Sequence, residues 1–408
     1  MIRRRLLTAV AAVSALLPSI GRGASGDSHR RLHPVDLPDL VRIDAAEADG
    51  WLARDRRGRM WRIREDGSAR PIADGLHPDA PLDARHGLIA SHAQEGRLWV
   101  MRDSPSERPS LGDERMAPHG GLLIVPGAIV GLVSRSGRTV VARFEATPAG
   151  PWTARTTSED AVLPDAEPVL VDLDGQHSGE HLAVLAGPDA ARYGHGVLGD
   201  AIEATRVLWL DRGNLRVLRQ LDLDAPYVFE DRLLRPWRLP NGRLGLVTMQ
   251  AGPQGAQIAV LAAALTEPGR LRIELQGAPI GQRNRWMSPA VTRKNDPDLL
   301  VIHTPHIGGV LRRYAREGSG LVSQAIMSGV TNHRLGERRL DNSARVGPWI
   351  LLATQGWDEL AVVDLRAEGR VERVPIPASI VQIVASSSGT AAAVLTRAGL
   401  MLWKRPAA

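Results

Sequence analysis

Cysteine is absent from the 408 residues, which excludes disulfide frameworks, thiol catalysis, zinc ribbons and iron–sulfur clusters. Lysine is almost absent too: Lys294 and Lys404 are the only two, so 49 of the 51 basic residues are arginine. A bias that general reflects composition, and it argues against taking any one arginine as an anion clamp from its identity alone. Aromatic residues make up 4% of the chain, and ten of them are tryptophans scattered along its length. Such spacing suits core packing rather than a cofactor box or a sugar platform. Beyond about residue 38 no long stretch carries helical periodicity. Strong catalytic signatures are also missing: there is no GxSxG elbow, HExxH pair, GxxxxGK[ST] loop or dinucleotide fingerprint. What is present, 43% hydrophobic residues with 41 Gly and 28 Pro, is the composition of a folded chain with many turns rather than a disordered or collagen-like one.

The formal charge of +6 and an isoelectric point near 10.4 invite a nucleic-acid reading. Arg3, Arg4, Arg5 and Arg22 supply four of those charges, and residues 1–24 contain no acid. Without that stretch 47 basic residues face 45 acidic ones, a near balance that attracts no polyanion. The same stretch has the parts of an export signal: a basic start, an apolar run from Leu6 to Leu17, and small residues around Gly21, Gly23 and Ala24. The run is short for a membrane span. Arg3-Arg4-Arg5-Leu6-Leu7 also resembles the twin-arginine pattern without its usual Ser or Thr, so two export routes stay open. The expectation is a signal over residues 1–24, a domain over 25–408 with no transmembrane anchor, and a periplasmic or secreted location.

After the signal, apolar runs of four to seven residues alternate with Gly, Pro, Asp and Asn turns. Trp51-Leu52-Ala53, Met60-Trp61-Arg62-Ile63 and Ala69 to Ala73, separated by turns at Gly58 and at Asp66-Gly67, form one meander. Equivalent runs recur around residues 61, 99, 141, 208, 259, 312, 362 and 402, close to the 40–50-residue period of four-stranded propeller blades. Gly-Arg precedes the run at Gly58, Gly96, Gly137 and Gly242, where a turn with positive φ favours glycine. The chain therefore reads as all-β and as one β-propeller. Eight blades are favoured, and seven stay open because the fourth strand of the second unit, within Pro105 to Pro118, is poorly marked. Two packed β-sandwiches are the alternative. The last unit stops after three strands, and the segment around Leu32 to Leu37 is expected to close the ring.

In the fourth unit Pro168-Val169-Leu170-Val171-Asp172-Leu173-Asp174-Gly175 precedes Glu180-His181-Leu182-Ala183-Val184-Leu185. This strand, Asp-x-Asp-Gly, acid, strand order resembles the FG-GAP or VCBS repeat of integrin-like propellers. The resemblance implies a propeller and, in this loop, calcium held by Asp172 and Asp174 with Glu180 as the later acid. Gln176 and His177 stand where that family offers further oxygen ligands, and calcium takes six to eight. Read from the residues alone, the loop is an Asx-stabilised turn without metal. No other cofactor is indicated.

A second constellation follows from loop phase, since in a meander the turns after every second strand lie on one face. That face would collect Asp55, His92, His195, His303, His306, Gln355 and Trp357, with Tyr193 beside His195 in the long connection 187–205. The turns that lead into the first strands would add Arg235, Arg283, Arg285 and Arg339. Convergent polar groups at a propeller mouth make a ligand site, here with His92, Tyr193, His195, His303, His306 and Trp357 as the binding residues. Two functions remain in view. One is an exported non-catalytic binding or scaffold module of the cell envelope, holding a protein or a glycan and no nucleic acid. The other is a hydrolase or lyase acting on a small or sugar substrate, with His195 or His303 as the acid–base.

Overall fold

The computed structural model describes residues 32–404, apart from 38, 48–49, 105–107, 149–150, 176–179, 240, 265–266, 268, 292–293, 319, 341 and 367–369. The export signal expected over residues 1–24 lies outside the described residues. Strand pairing divides the chain into successive four-stranded antiparallel units spanning 40–73, 82–115, 122–157, 169–222, 228–276, 287–328 and 330–375; an eighth joins 380–404 to 32–35. They are numbered 1 to 8 below. The molecule is all-β and a β-propeller. The apolar runs singled out by their period are the third strands of these units, from Met60–Ile63 and Arg97–Arg102 through Glu203–Leu210 and Gly255–Ala263 to Gly399–Lys404. The obscure strand of unit 2 is Ser110–Arg115.

Burial follows position within a unit. Every residue of the second strands Trp51–Asp55 and Leu244–Gly252 is buried, whereas the outer strands Ala69–Ala73 and Arg370–Pro375 are mostly exposed or half-buried. That is the pattern of sheets stacked face to face around a ring. Trp51, Trp209, Trp237 and Trp403 are among the largest fully buried side chains. Each buried indole N–H needs an acceptor: Trp51 finds Val384 O of unit 8 at 3.0 Å and Trp237 finds Asp296 O of unit 6 at 2.8 Å. These tryptophans pack unit against unit.

The ring closes through its own ends. Leu32–Val35 lies antiparallel on Gly399–Lys404, pairing Leu32 with Trp403 and Val35 with Leu400. Pro34 sits on this outermost strand, where a missing N–H costs no ladder bond. Gly58, Gly96, Gly137 and Gly242 all have positive φ, between 75° and 82°. Among the described residues no helix is long and apolar enough to cross a membrane.

Two first strands are interrupted. In unit 5, Val228–Phe229 and Arg235–Arg238 both pair with Leu244–Gly252, and residues 230–234 bulge out between them. In unit 7, Val330–Thr331 and Ser343–Val346 both pair with Trp349–Thr354, leaving residues 332–342 as an insert. Both interruptions lie on the strand at the inner edge of the sheet and place polar residues at the mouth of the ring.

Candidate functional site

Five loops from units 4 to 7 converge on one cluster. The connection between His181–Asp189 and Glu203–Leu210 carries Tyr193 and His195 and folds around a short 3-10 turn, Gly196–Leu198. Arg283 donates to Tyr193 O at 2.8 Å and lies 4.8 Å over its ring, while the Asn284 N–H donates to the Tyr193 hydroxyl at 3.1 Å. His195 Nδ1 meets Glu230 Oε1 in the unit 5 bulge. The Trp286 indole N–H donates to Glu230 O at 3.0 Å, and the indole plane stacks on His306 with 6° between the rings. His306 Nε2 and His333 Nδ1 are 2.9 Å apart, and His333 Nε2 lies 2.7 Å from Glu337 O.

The protons in the histidine pair follow from the last contact. A carbonyl only accepts, so His333 donates through Nε2 and offers the lone pair of Nδ1, to which His306 donates through its own Nε2. Both rings are then neutral. Burial agrees, holding His306 near 4 and His333 near 3, well under the usual imidazole value.

The carboxylates are displaced the other way. Ala204 pairs with Phe229 across an antiparallel bridge, so the next pair outward, Glu203 and Glu230, face each other on one side of the ladder. Glu203 and Glu230 are 1% and 0% exposed. Burial, reinforced at Glu203 by the Glu230 charge and at Glu230 by Asp231, pushes both carboxyls well above the ordinary range. One oxygen of each, Glu203 Oε1 and Glu230 Oε2, has no partner among the described residues. Glu203, pushed up to about 10, therefore keeps its proton at neutral pH, across the ladder from the Glu230 that meets His195.

The unit 7 insert lies over this side of the ring. Gly336 N–H donates to Val197 O at 3.0 Å, Arg338 pairs with Asp200 at 2.8 Å, and Arg232 donates to Arg338 O at 2.7 Å. Arg334 reaches Ser379 Oγ at 2.8 Å and Ile380 O at 2.7 Å and covers the Trp357 ring at 4.0 Å. Arg339 pairs with Asp79, from the loop before unit 2, at 2.9 Å. The insert is a strap tying the mouth loops together.

Of the residues expected at the mouth, the structure brings Tyr193, His195, His306 and Arg283 into one cluster. The others are placed elsewhere. His303 ends the strand Leu299–His303 and its Nε2 meets the Tyr314 hydroxyl at 2.6 Å. His92 is 2% exposed among the arginines of unit 1, which with burial hold it near 3. Trp357 lies under Arg334. Asp55 caps its own turn through Arg57 N–H and Arg59 N–H, Gln355 ties Pro305 O to Val330 O, Arg235 pairs with Asp231, and Arg285 donates to Gln282.

Glu203, Glu230, Trp286 and His333 were not anticipated. The signal was the sequence Val228-Phe229-Glu230-Asp231-Arg232, three consecutive charges directly after an apolar pair. A shallow polar hollow lined by Tyr227, Gln250, Gln254, Gln257 and Pro279 shares no residue with the cluster.

At the loop implied to bind calcium, Asp172 Oδ1 accepts from Gly175 N–H at 2.8 Å, as in an Asx turn. Glu180 faces Lys294 at 3.8 Å. Residues 176–179 are outside the described residues, and among the described residues no three His, Asp or Glu side chains converge on one ion position.

No family model matches the sequence, and no curated protein matches it. Solved structures do resemble the fold. BamB from Moraxella catarrhalis has a TM-score of 0.53 at 12% identity, over 92% of this chain and 97% of that one. Sqt1 of Saccharomyces cerevisiae gives 0.57 at 10%, over 90% and 96%. The C-terminal WD40 domain of Sif2 gives 0.56 at 12%, over 91% and 99%. At such identities the likeness concerns architecture alone, and the architecture it shares with this chain is the β-propeller.

Proposed function

We propose that the chain is an exported, non-catalytic binding or scaffold module of the cell envelope that holds a protein or glycan partner on the loop face of its ring. One observation carries the reading. Four large hydrophobic side chains stand exposed among the described residues, and three of them, Tyr227 (41%), Ile307 (59%) and Leu335 (68%), belong to loops of this one face. The fourth, Val322, is on the outer strand Gly320–Ser328. Exposed apolar groups gathered on a cross-tied surface suit macromolecular contact. The propeller likeness to BamB supports the architecture of such a module, and the basic, apolar, small-residue order of residues 1–24 supports export.

The test is crosslinking in envelope fractions of the source cell, comparing the native chain with Tyr227→Ser/Ile307→Ser/Leu335→Ser and with Val322→Ser. Loss of one defined adduct in the triple variant and its retention in Val322→Ser is the expected result. An adduct indifferent to the triple change overturns the loop face as the docking surface. A chain that stays in the cytoplasmic fraction overturns export.

A second reading is favoured by Glu203 and Glu230: buried, proton-retaining carboxyls beside His195 are the kind of group a hydrolase or lyase uses as an acid. In that reading His195 and Glu230 act together and His303 has no part. A turnover found in a substrate screen and abolished by His195→Gln would favour it over the scaffold. The kinship with FG-GAP and VCBS repeats belongs to the proposal as well, with the 172–175 turn folding without metal.

A further inference from the structure

On the opposite side of the mouth from the His–Glu cluster, three arginines meet from distant parts of the chain. Arg42 and Arg54 belong to the first two strands of unit 1, Leu40–Ala45 and Trp51–Asp55; Arg339 comes from the unit 7 strap. Arg54 is fully buried. Its terminal nitrogens donate to His77 O and Ser91 Oγ at 3.1 Å, to Asp44 Oδ2 at 3.1 Å and to Ala80 O. Arg42 grips Asp44 through Nε and Nη2, each at 3.1 Å, and donates Nη1 to Asp79 O at 3.1 Å. Arg339 holds the Asp79 carboxylate at 2.9 Å. Three guanidiniums thus share two carboxylates, and one of these, Asp79, is 64% exposed at its side chain.

The hydrogen bonding is incomplete in the same place. Among the described residues Arg54 Nε and Arg339 Nε are shielded from solvent and have no partner. A buried donor left without an acceptor is costly, and native structures tolerate few. Arg143, Arg235, Arg243 and Arg338 also carry a nitrogen without a partner among the described residues, but here two orphaned N–H groups belong to a set of three guanidiniums gathered on two carboxylates.

We propose that Arg42, Arg54 and Arg339 form a seat for a small oxyanion, a phosphate or carboxylate group, between unit 1, unit 2 and the strap. Guanidinium forks match such groups in shape and charge. The exposed Asp79 carboxylate is the natural competitor: an incoming oxyanion takes over Arg339 and completes the donors that Asp79 leaves unfilled. The electrostatics agree, since burial, joined by the neighbouring Arg42 charge, brings Arg54 down to about 10, and its nearest compensation is the shared Asp44. A bound anion would also join the strap to unit 1 by a second link. This seat shares the strap with the loop face but none of the residues on which the proposed function rests, and either can fail without the other.

The full chain is titrated with inorganic phosphate and, separately, with succinate, against sodium chloride of equal ionic strength, reading Tm and calorimetric heat. A saturable rise in Tm with one of the oxyanions and not with chloride is expected, and the better of the two identifies the group. Arg339→Gln should weaken binding by about tenfold or more, the loss of one charge-assisted contact, with an unchanged circular dichroism spectrum. Asp79→Asn removes the competitor and should tighten binding, a gain that misfolding does not mimic. A response equal in chloride, or an affinity unaltered in both variants, overturns the seat.

Discussion

Glu203 and the His306–His333 pair pull the stability of the molecule in opposite directions as pH changes. The folded chain keeps a proton on Glu203 that an unfolded glutamate, with an ordinary value of 4.5, gives up. Its contribution is therefore full below that value and lost as pH rises, at about 1.4 kcal/mol per unit. Near pH 7 the penalty reaches about 3 kcal/mol. Glu203→Gln should raise Tm at pH 7 by several degrees and flatten the decline on the alkaline side, checked by thermal melts from pH 5 to 9. The imidazoles do the reverse. Their folded values near 4 and 3 lie below the usual 6.5, so the stability they contribute is complete above 6.5 and disappears as pH falls toward 4 and 3. His306→Gln/His333→Gln should remove that acid limb, which the same melts at pH 3 to 7 would register. A chain that retains a destabilising carboxyl pair at its mouth gives up stability at a place where buried charge is otherwise selected against, as functional sites commonly do.

Third strands were legible as elements because each is a compact apolar run announced by a turn, and that pattern survives any error in the loops. First strands were much less so. Val228–Phe229 is two residues long and Arg235–Arg238 reads Arg-Pro-Trp-Arg, so neither shows alternation, and their common pairing with Leu244–Gly252 is a tertiary fact. In unit 7 the strand Val330–Thr331 is just as short. Since Glu230 and His333 sit in those two interruptions, half of the candidate site was hidden, while Tyr193, His195 and His306 were visible from loop phase alone. His303 shows the limit of phase: as the last strand residue it turns to Tyr314, and the next turn carries His306 to the mouth. Close backbone approaches impose a further constraint. Gly309 has φ +26°, and a Cβ there would lie 1.7 Å from Val330 O. Gly309→Ala should cost several kcal/mol, measured as a lower denaturation midpoint, and should loosen His306 and the strap, measured as faster amide exchange at Gly329 and Val330. At the Asp172 turn, equal melting in millimolar calcium and in EDTA is expected, and a calcium-dependent shift abolished by Asp172→Ala/Asp174→Ala would restore the metal.

For the whole molecule, closure governs cooperativity. Deleting residues 32–37 would bare the edge of Gly399–Lys404, an unpaired strand that invites pairing with another chain. The truncated protein is expected to melt lower and to form concentration-dependent oligomers, seen by light scattering. The clasp also has a direction. Because Leu32 lies opposite Trp403 and Val35 opposite Leu400, the chain enters the strand pair and leaves it at the same end. Tension applied between the two termini therefore loads the ladder bonds one after another, like a zip, rather than all together in shear. The ring should resist heat as a cooperative whole and yet open at low mechanical force, with the first strand peeling away before any other unit yields.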